Sequence, residues 1–211
     1  MIEHIERIAR TCYKSNHLIK EGSAYKFTKH ACAIGHTSVI EHASISVKFT
    51  CSRAASHQIV RHRMASYAQE SQRYCNYSKD QFGKSVVFIR PEFIRNESSS
   101  AAADERKNIW TSMMEKDEEA YFKLLEAGAK PQEARMVLPN SCKTELNMTA
   151  NLREWRTFFA LRCDSHADDE IRYLATDLLK QFHQNIPAIF DDLYEYFVEG
   201  NKDIKIKEMT D

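Results

Sequence analysis

The sequence predicts an α+β fold in which a largely antiparallel sheet is flanked by helices. Two segments alternate apolar and polar residues strictly, as a half-buried strand does. Many longer segments instead repeat their apolar residues at helical spacing. Few strands among many helices favour the α+β class, and a length of 211 residues suits a single domain over 1–211, with a polar tail over about 201–211.

The first half of the chain is predicted to hold three helices and one strand. The first two helices cover about 2–13 and 23–35, where apolar residues recur at helical spacing. The strand covers 42–50, HASISVKFT, in which every second residue is apolar. Ser52 then caps a helix that ends near Val60.

The second half of the chain combines segments with the alternation of strands and segments with the apolar spacing of helices. In chain order, its predicted elements are a strand over 85–91, a helix over about 102–127, a short helix over 131–139, a strand over 143–151, a helix that starts at Asn151, and two last helices over about 167–184 and 187–199. The long helix is expected to turn five residues inward, namely Ile109, Met113, Tyr121, Leu124 and Leu125.

Composition excludes several function classes. Thirty Lys and Arg residues balance thirty Asp and Glu residues, so no overall field draws the chain to nucleic acid or to a membrane. Six scattered cysteines without a C-x-x-C pair indicate neither a zinc knuckle nor a disulfide scaffold, and they favour a reducing compartment. No leader-like start and no apolar run of about eighteen residues is present, so we expect a cytoplasmic protein.

Positive charge is nevertheless concentrated in one window, residues 43–79, where six basic residues and one acid, Glu70, give a net charge of +5. Arg61, Arg63 and Arg73 lie at its centre, close to two serine hydroxyls. Guanidinium forks and hydroxyls can grip phosphate oxygens. The alternative is that the first two arginines only favour the negative end of a helix dipole, while Arg73 pairs with Glu70 on the surface.

A second polar cluster, GHTSVIEH at 35–42, contains His36, Ser38, Glu41 and His42. The two histidines are six residues apart, which is not the spacing of metal ligands on one helix face. Hydrogen bonding to a polar ligand is therefore favoured over a metal site.

The helix from Asn151 carries a third cluster. Arg162 lies eleven residues further on, close to three full turns, so both residues share a face with two aromatic residues between them. An arginine beneath such a strip could stack on, or hydrogen-bond, a planar heterocycle. The alternative is a core-facing helix whose Arg162 pairs with Asp164 or Asp168.

Glycine-based nucleotide motifs are absent. The sequence has five glycines in total and contains no P-loop, no G-x-S-x-G and no Rossmann fingerprint. Any dinucleotide must therefore be held by side chains and helix ends.

The arginine-rich segment RHRMASYAQES, Arg61 to Ser71, resembles the R-H-R-(seven residues)-S signature of the flavin-dependent thymidylate synthases. The flanking segments GHTSVIEH, QIVRHR and SQRY resemble the same family. Downstream, ARMVLP and NLREWRTFFALRCDSHA resemble its two arginine-bearing helices in the same order, so the similarity spans about 1–185.

This resemblance implies a catalytic domain of that family's fold, assembled as a homotetramer with active sites at subunit junctions. The implied reaction makes dTMP from dUMP, with 5,10-methylenetetrahydrofolate as carbon donor and NADPH as reductant through bound FAD. No metal, nucleic acid or membrane partner is implied. The arginine cluster would then meet the pyrophosphate of FAD and the phosphate of the nucleotide.

The resemblance also implies which residues form the site, from their positions in the matching motifs. The flavin-binding set comprises Ser38, Arg61, His62, Arg63, Gln69, Asn151, Leu152, Arg153 and Thr157. The nucleotide-binding set comprises Gln58, Ile59, Val60, Arg61, Gln69, Glu70, Ser71, Gln72, Arg73, Arg135 and Arg162. Arg162 is the implied catalytic residue, whose cation stabilises charge on the uracil ring as N3 loses its proton. His36 and Glu41, beside the flavin or folate, and His166, at the helix end, are the implied supporting residues.

Two positions depart from the family pattern. Gln69 stands where many relatives have glutamate, which removes a carboxylate role, and Thr157 stands where asparagine or histidine is common. None of the six cysteines lies beside an evident base, so reduced flavin rather than a thiol is expected to act on the substrate.

Two other classes compete with this interpretation. One is a non-catalytic nucleic-acid-binding module that uses the +5 window as a phosphate-tracking surface. The other is a metal-dependent nucleotide hydrolase that uses His36, His42, His166 and Asp168.

Overall fold

The computed structural model describes residues 1–95 and 100–209. The chain divides into two compact units. The first unit comprises Met1–Val47, His62–Ser66 and Met148–Asp211, and the second comprises Lys48–Arg61 and Tyr67–Asn147. The single domain over 1–211 stays a prediction.

The predicted α+β class is confirmed. Three strands, β1 (Ser44–Ser52), β2 (Ala65–Gln69) and β3 (Lys143–Asn151), form an antiparallel sheet in the order β1-β3-β2. In chain order, the helices of the described residues are α1 (Ile2–Thr11), α2 (Ser23–Ala33), α3 (Arg53–Ile59), α4 (Glu92–Arg95), α5 (Ala101–Glu126), α6 (Pro131–Ala134), α7 (Leu152–Arg162), α8 (Asp169–Asn185) and α9 (Pro187–Phe197).

Alternation locates two of the three strands. In β3, Thr144, Leu146, Met148 and Ala150 are buried while the intervening residues are not, as the period of two predicts. Ser52 ends β1 and caps α3, because its side chain accepts the backbone N–H of Ala55 at 3.0 Å. The predicted strand and cap are therefore confirmed.

The predicted strand over 85–91 is wrong. This segment makes an isolated antiparallel bridge between Phe88 and Cys142, with bonds from Ile89 N to the Ser141 carbonyl and from Lys143 N to the Val87 carbonyl, both at 2.8 Å. Too few such bonds form for a strand. The sheet gains β2 instead, in a segment for which no strand was predicted, because alanine on both of its faces hides the alternation.

An aromatic cluster forms the core of the first unit. Trp155 on α7 packs against Phe158 of the same helix and Phe182 of α8, with ring centroids 5.4 and 5.2 Å apart. Phe159 meets Phe190 of α9 edge to face at 5.6 Å. Such pairs add stability beyond the burial of their area. They hold α7 rigidly against α8 and α9.

The core of the second unit is smaller, and it corrects part of the prediction for α5. Tyr121 is fully buried, and Leu125 packs against its cluster, as predicted. Ile109 and Met113 are 58% and 45% exposed, and Leu124 is also exposed, so the prediction that they face inward is wrong. The buried row of α5 runs through Ala103, Met114 and Tyr121 instead.

The C-terminal tail packs against the first unit over its described part. Ile206 is buried, and Glu208, in a 3-10 turn (Lys207–Met209), accepts a hydrogen bond from Arg156 Nε at 2.6 Å. Arg156 lies on α7 with 0% exposure, and its Nη2 donates to Asp192 of α9 at 2.6 Å. Burial alone would lower the pKa of Arg156, but the two carboxylates outweigh it and raise that pKa. Residues 210–211 of the predicted tail lie outside the described residues.

We expect Glu208→Ala to lower the free energy of unfolding by about 2 kcal/mol, because it removes one of two carboxylates from a buried guanidinium. Urea denaturation of the full chain measures this effect. Glu119→Ala is the matched control, since it removes a carboxylate from an ion pair with Lys123 that is exposed on both sides. Equal shifts in the two variants would contradict the assigned role of Glu208.

Candidate active site

The structure divides the predicted site residues between the two units. The first unit holds the predicted catalytic residue, the predicted supporting residues and most of the predicted flavin-binding set, namely His36, Ser38, Glu41, His62, Arg63, Asn151, Leu152, Arg153, Thr157, Arg162 and His166. The second unit holds most of the nucleotide-binding set, namely Gln58, Ile59, Val60, Arg61, Gln69, Glu70, Ser71, Gln72, Arg73 and Arg135.

Asn151 fixes the start of α7. Its side-chain oxygen accepts the backbone N–H of Glu154 at 2.9 Å, which satisfies one of the free donors at the helix N-terminus. Leu152 is completely buried, and its backbone N–H donates to the Ala43 carbonyl at 3.0 Å. Thr157, one turn further, donates its hydroxyl to the Arg153 carbonyl at 3.3 Å.

The polar cluster near residue 40 lies beside this helix start. A 3-10 turn (Thr37–His42) packs against α7, and Arg153 Nη1 contacts Glu41 Oε1 at 2.6 Å. Both side chains are exposed, as are Ser38 and His36. A predicted supporting residue and a predicted flavin-binding residue are thus brought together.

His62 is the buried member of the RHR motif, with 5% of its surface exposed. Its Nδ1 lies 3.3 Å from Glu154 Oε1, and its Nε2 accepts Arg162 Nε–H at 3.0 Å. The ring also packs against Phe158 at a centroid distance of 5.0 Å. His62 therefore connects the first and last turns of α7.

These contacts determine the protonation of His62. A guanidinium only donates, so Nε2 must carry a lone pair and the single ring proton lies on Nδ1. Burial, together with the adjacent Arg162 charge, lowers the pKa of His62 to about 4. The ring is therefore neutral at physiological pH.

Arg162 is half-buried at the end of α7, and burial lowers its pKa. The alternative interpretation paired this guanidinium with Asp164 or Asp168. Asp168 accepts the backbone N–H of Glu170 at 3.2 Å. Asp164 instead accepts hydrogen bonds from both the backbone N–H and Nδ1 of His166, at 2.9 and 2.7 Å, which lowers the pKa of Asp164. The His166 ring itself is 94% exposed and adds no packing to the helix end.

In the second unit, Arg61 and Arg73 are exposed and Arg135 is half-buried. Within residues 1–95 and 100–209, no acidic side chain pairs with any of these three arginines. Arg73 lies over the ring of Tyr74 at 5.4 Å, and its backbone N–H reaches the Ser71 hydroxyl at 3.4 Å. These cations are available to an anionic ligand.

Glu70 is not the partner of Arg73. It accepts a hydrogen bond from the Tyr77 hydroxyl at 2.9 Å and pairs with Lys143 at 3.3 Å. These groups line a cavity of about 420 Å³ whose wall also includes Phe82 and Val87. The surface ion pair proposed as the alternative for Arg73 does not form.

Two glutamines of the nucleotide-binding set donate hydrogen bonds to other residues of the second unit. Gln69 Nε2 donates to the hydroxyls of Ser56 and Thr144 at 2.9 and 3.2 Å. Gln72 is buried and donates to Cys142 Sγ at 3.3 Å. Because the Ser56 hydroxyl already donates to the Arg53 carbonyl at 2.8 Å, a donor is needed at residue 69, which an ionised glutamate would not supply.

Glu154 was not predicted as a site residue. A signal was present, since Glu154 and Arg162 are eight residues apart and so lie close to one helix face. The Tyr77–Glu70–Lys143 contacts were missed as well, because Lys143 comes from β3, far along the chain.

The described residues contain no group of three or more His, Cys, Asp or Glu side chains arranged to hold a metal ion, so the hydrolase interpretation gains no support. None of their helices combines the length and apolarity needed to cross a membrane.

Comparison with known proteins identifies the family. The model of the family described as thymidylate synthase complementing protein matches residues 2–188. A flavin-dependent thymidylate synthase of Geobacter sulfurreducens is 38% identical over 191 residues, which cover 87% of this chain and 78% of that relative. Flavin-dependent thymidylate synthases of Mycobacterium avium and Mycobacterium tuberculosis are 35% and 36% identical. Each of these two matches covers 89% of this chain and 78% of the relative. As its motifs predict, the chain belongs to the flavin-dependent thymidylate synthase family.

Proposed function

We propose that this chain methylates dUMP to dTMP, with methylenetetrahydrofolate as carbon donor and NADPH as reductant through FAD. Family membership confirms the enzyme class and the flavin dependence predicted from the sequence. The residue assignments rest mainly on one hydrogen bond, in which Arg162 Nε donates to Nε2 of the neutral His62 ring at 3.0 Å.

The residues of the flavin set fit a dinucleotide. Arg61 and Arg63 are exposed and have no acidic partner among the described residues, so they can meet a pyrophosphate without breaking an ion pair. Arg153 would contact the flavin while it remains paired with Glu41. Bound FAD supplies the hydride chemistry that no side chain offers.

The residues of the nucleotide set fit a phosphate monoester. Arg73 and Arg135 carry charges that no described carboxylate neutralises, and the Ser71 hydroxyl lies beside the backbone of Arg73. We assign these three residues to the dUMP phosphate, with Gln58 and Arg61 as further donors. Ile59 is completely buried and its carbonyl accepts the Tyr67 hydroxyl at 3.0 Å, so its place in the set has no support from exposure.

Arg162 is assigned to the uracil ring. A cation that is already oriented stabilises negative charge at N3 without reorganising during the reaction, and such groups commonly contribute about 3 kcal/mol. His62, as a neutral acceptor, takes the Nε–H of the guanidinium and places no second charge beside it.

The thiols support a route through flavin. Burial raises the pKa of Cys32 to about 11 and that of Cys163 to about 12, and it also raises the pKa values of Cys75 and Cys142. A cysteine nucleophile needs the opposite shift, because the thiolate is the reactive form.

We further propose a cytoplasmic homotetramer with shared active sites. Ile109 and Met113 lie one turn apart on α5, so their exposed apolar side chains are neighbours on one helix face. A contiguous apolar patch of this kind supports an additional subunit contact. The partners of the enzyme are then small molecules, dUMP, a folate and NADPH, rather than nucleic acid or a membrane.

Anaerobic flavin oxidation tests the function. NADPH should bleach the yellow holoenzyme, and dUMP with methylenetetrahydrofolate should restore the oxidised spectrum with formation of dTMP. Arg162→Ala should retain FAD while turnover falls by about 100- to 1,000-fold. Undiminished turnover would remove the role of Arg162. A colourless protein that cannot be reconstituted with FAD, yet binds oligonucleotides with a steep salt dependence, would favour the nucleic-acid-binding class.

His62 predicts a pH dependence of stability. Its pKa is about 4 when folded and ~6.5 when unfolded, so between these values the unfolded chain takes up a proton that the native ring does not. The contribution is complete above about pH 6.5 and is lost as the pH falls towards 4.

Urea denaturation of the FAD-free protein at about pH 7.5 and 5 measures this effect. From the higher to the lower pH, the free energy of unfolding should fall by about 2 kcal/mol more in the wild type than in His62→Asn. His166→Asn, which alters an exposed ring, should behave as the wild type does. Identical falls in the wild type and His62→Asn would contradict the low pKa.

A further inference from the structure

Three side chains of the first unit form a continuous chain of hydrogen bonds, with His62 between Glu154 and Arg162. Glu154 Oε1 lies 3.3 Å from His62 Nδ1, and His62 Nε2 lies 3.0 Å from Arg162 Nε. Glu154 belongs to none of the flavin-binding, nucleotide-binding, catalytic or supporting sets. Its geometry nevertheless connects it to the guanidinium assigned to catalysis.

The direction of each bond follows from chemistry. Arg162 can only donate, so His62 Nε2 accepts and the ring proton is on Nδ1. That proton points to Glu154, whose carboxylate accepts it. The Nε2–H tautomer would instead place two N–H donors against each other, one from the ring and one from Arg162.

Because both side chains are largely buried, water could not easily accept the His62 ring proton in place of Glu154. The His62 side chain is 4% exposed and that of Glu154 is 12% exposed. A ring N–H left without an acceptor in such surroundings is costly. Glu154 could have served the helix start instead, since it lies at the third position of α7, where an acidic side chain commonly caps the backbone. The Glu154 side chain contacts His62 instead.

We propose that Glu154 is a positioning residue for the thymidylate synthase reaction proposed above. Its carboxylate holds His62 in the Nδ1–H tautomer, and the lone pair left on Nε2 orients the Arg162 guanidinium towards the nucleotide. Carboxylates that orient a histidine through its second nitrogen are a general device in enzyme sites.

Two substitutions separate positioning from packing. In Glu154→Ala the Nδ1–H loses its acceptor, the ring is free to adopt the Nε2–H tautomer, and the guanidinium turns away. In Glu154→Gln the side chain keeps its length, and its amide oxygen can still accept the ring proton. Asp177→Ala, which removes an exposed carboxylate from α8, is the control for a general loss of charge.

The experiment measures dTMP formation, FAD content and the Kd of dUMP, the last from the change in the flavin spectrum. Glu154→Ala should retain FAD, lose about 30-fold or more in kcat and bind dUMP more weakly. Glu154→Gln should remain within about threefold of the wild type, and Asp177→Ala should match it. Glu154→Ala activity within threefold of the wild type, or equal losses in the alanine and glutamine variants, would overturn the proposal.

A double-variant cycle adds a measurement that a purely structural role would not produce. In the Arg162→Ala background, Glu154→Ala should weaken dUMP binding by no more than about twofold further, because the group that it positions is already missing. Additive losses would overturn the proposal. If the wild type neither binds dUMP nor forms dTMP, the proposed function fails and this inference fails with it. If the wild type is active and only the Glu154 results disagree, the inference alone fails.

Discussion

The candidate site depends on one hydrogen bond, from Arg162 Nε to His62 Nε2 at 3.0 Å. It places a permanent cation against a buried ring that carries no charge, because burial and Arg162 itself keep the pKa of His62 at about 4. A protonated ring would repel the guanidinium. The position of the proposed catalytic cation is therefore set by a neutral acceptor, which does not itself neutralise the charge of Arg162.

Three different faces of helix α7 make three different sets of contacts. Trp155, Phe158 and Phe159 anchor it in the aromatic core, and Arg156 fastens it to α9 and the C-terminal tail. Its remaining face begins at the Asn151 cap and ends at Arg162. Packing fixes the helix, so small polar contacts are enough to orient the guanidinium at its end. This arrangement suits a site that lacks a glycine loop and must hold anions with side chains.

Sequence patterns predicted the parts of the fold that depend on local periodicity. Strands β1 and β3, the Ser52 cap and α7 follow from alternation, capping chemistry and helical spacing. The RHR motif identified the family, yet its spacing could not show that His62 is buried against Glu154, 92 residues along the chain. Strand β2 was missed because alanine on both of its faces hides the alternation. The exposure of Ile109 was missed because residues distant in sequence decide which side of α5 is buried.

The most direct test of this account is the protonation of His62 in the wild-type protein. With ¹⁵N-labelled histidine, and with the signal assigned through His62→Asn, NMR can follow both ring nitrogens from about pH 8 to 5. We predict a protonated Nδ1 and an unprotonated Nε2 throughout this range. A ring that becomes cationic with a midpoint near the ordinary histidine value of ~6.5, or that carries its proton on Nε2, would contradict the account.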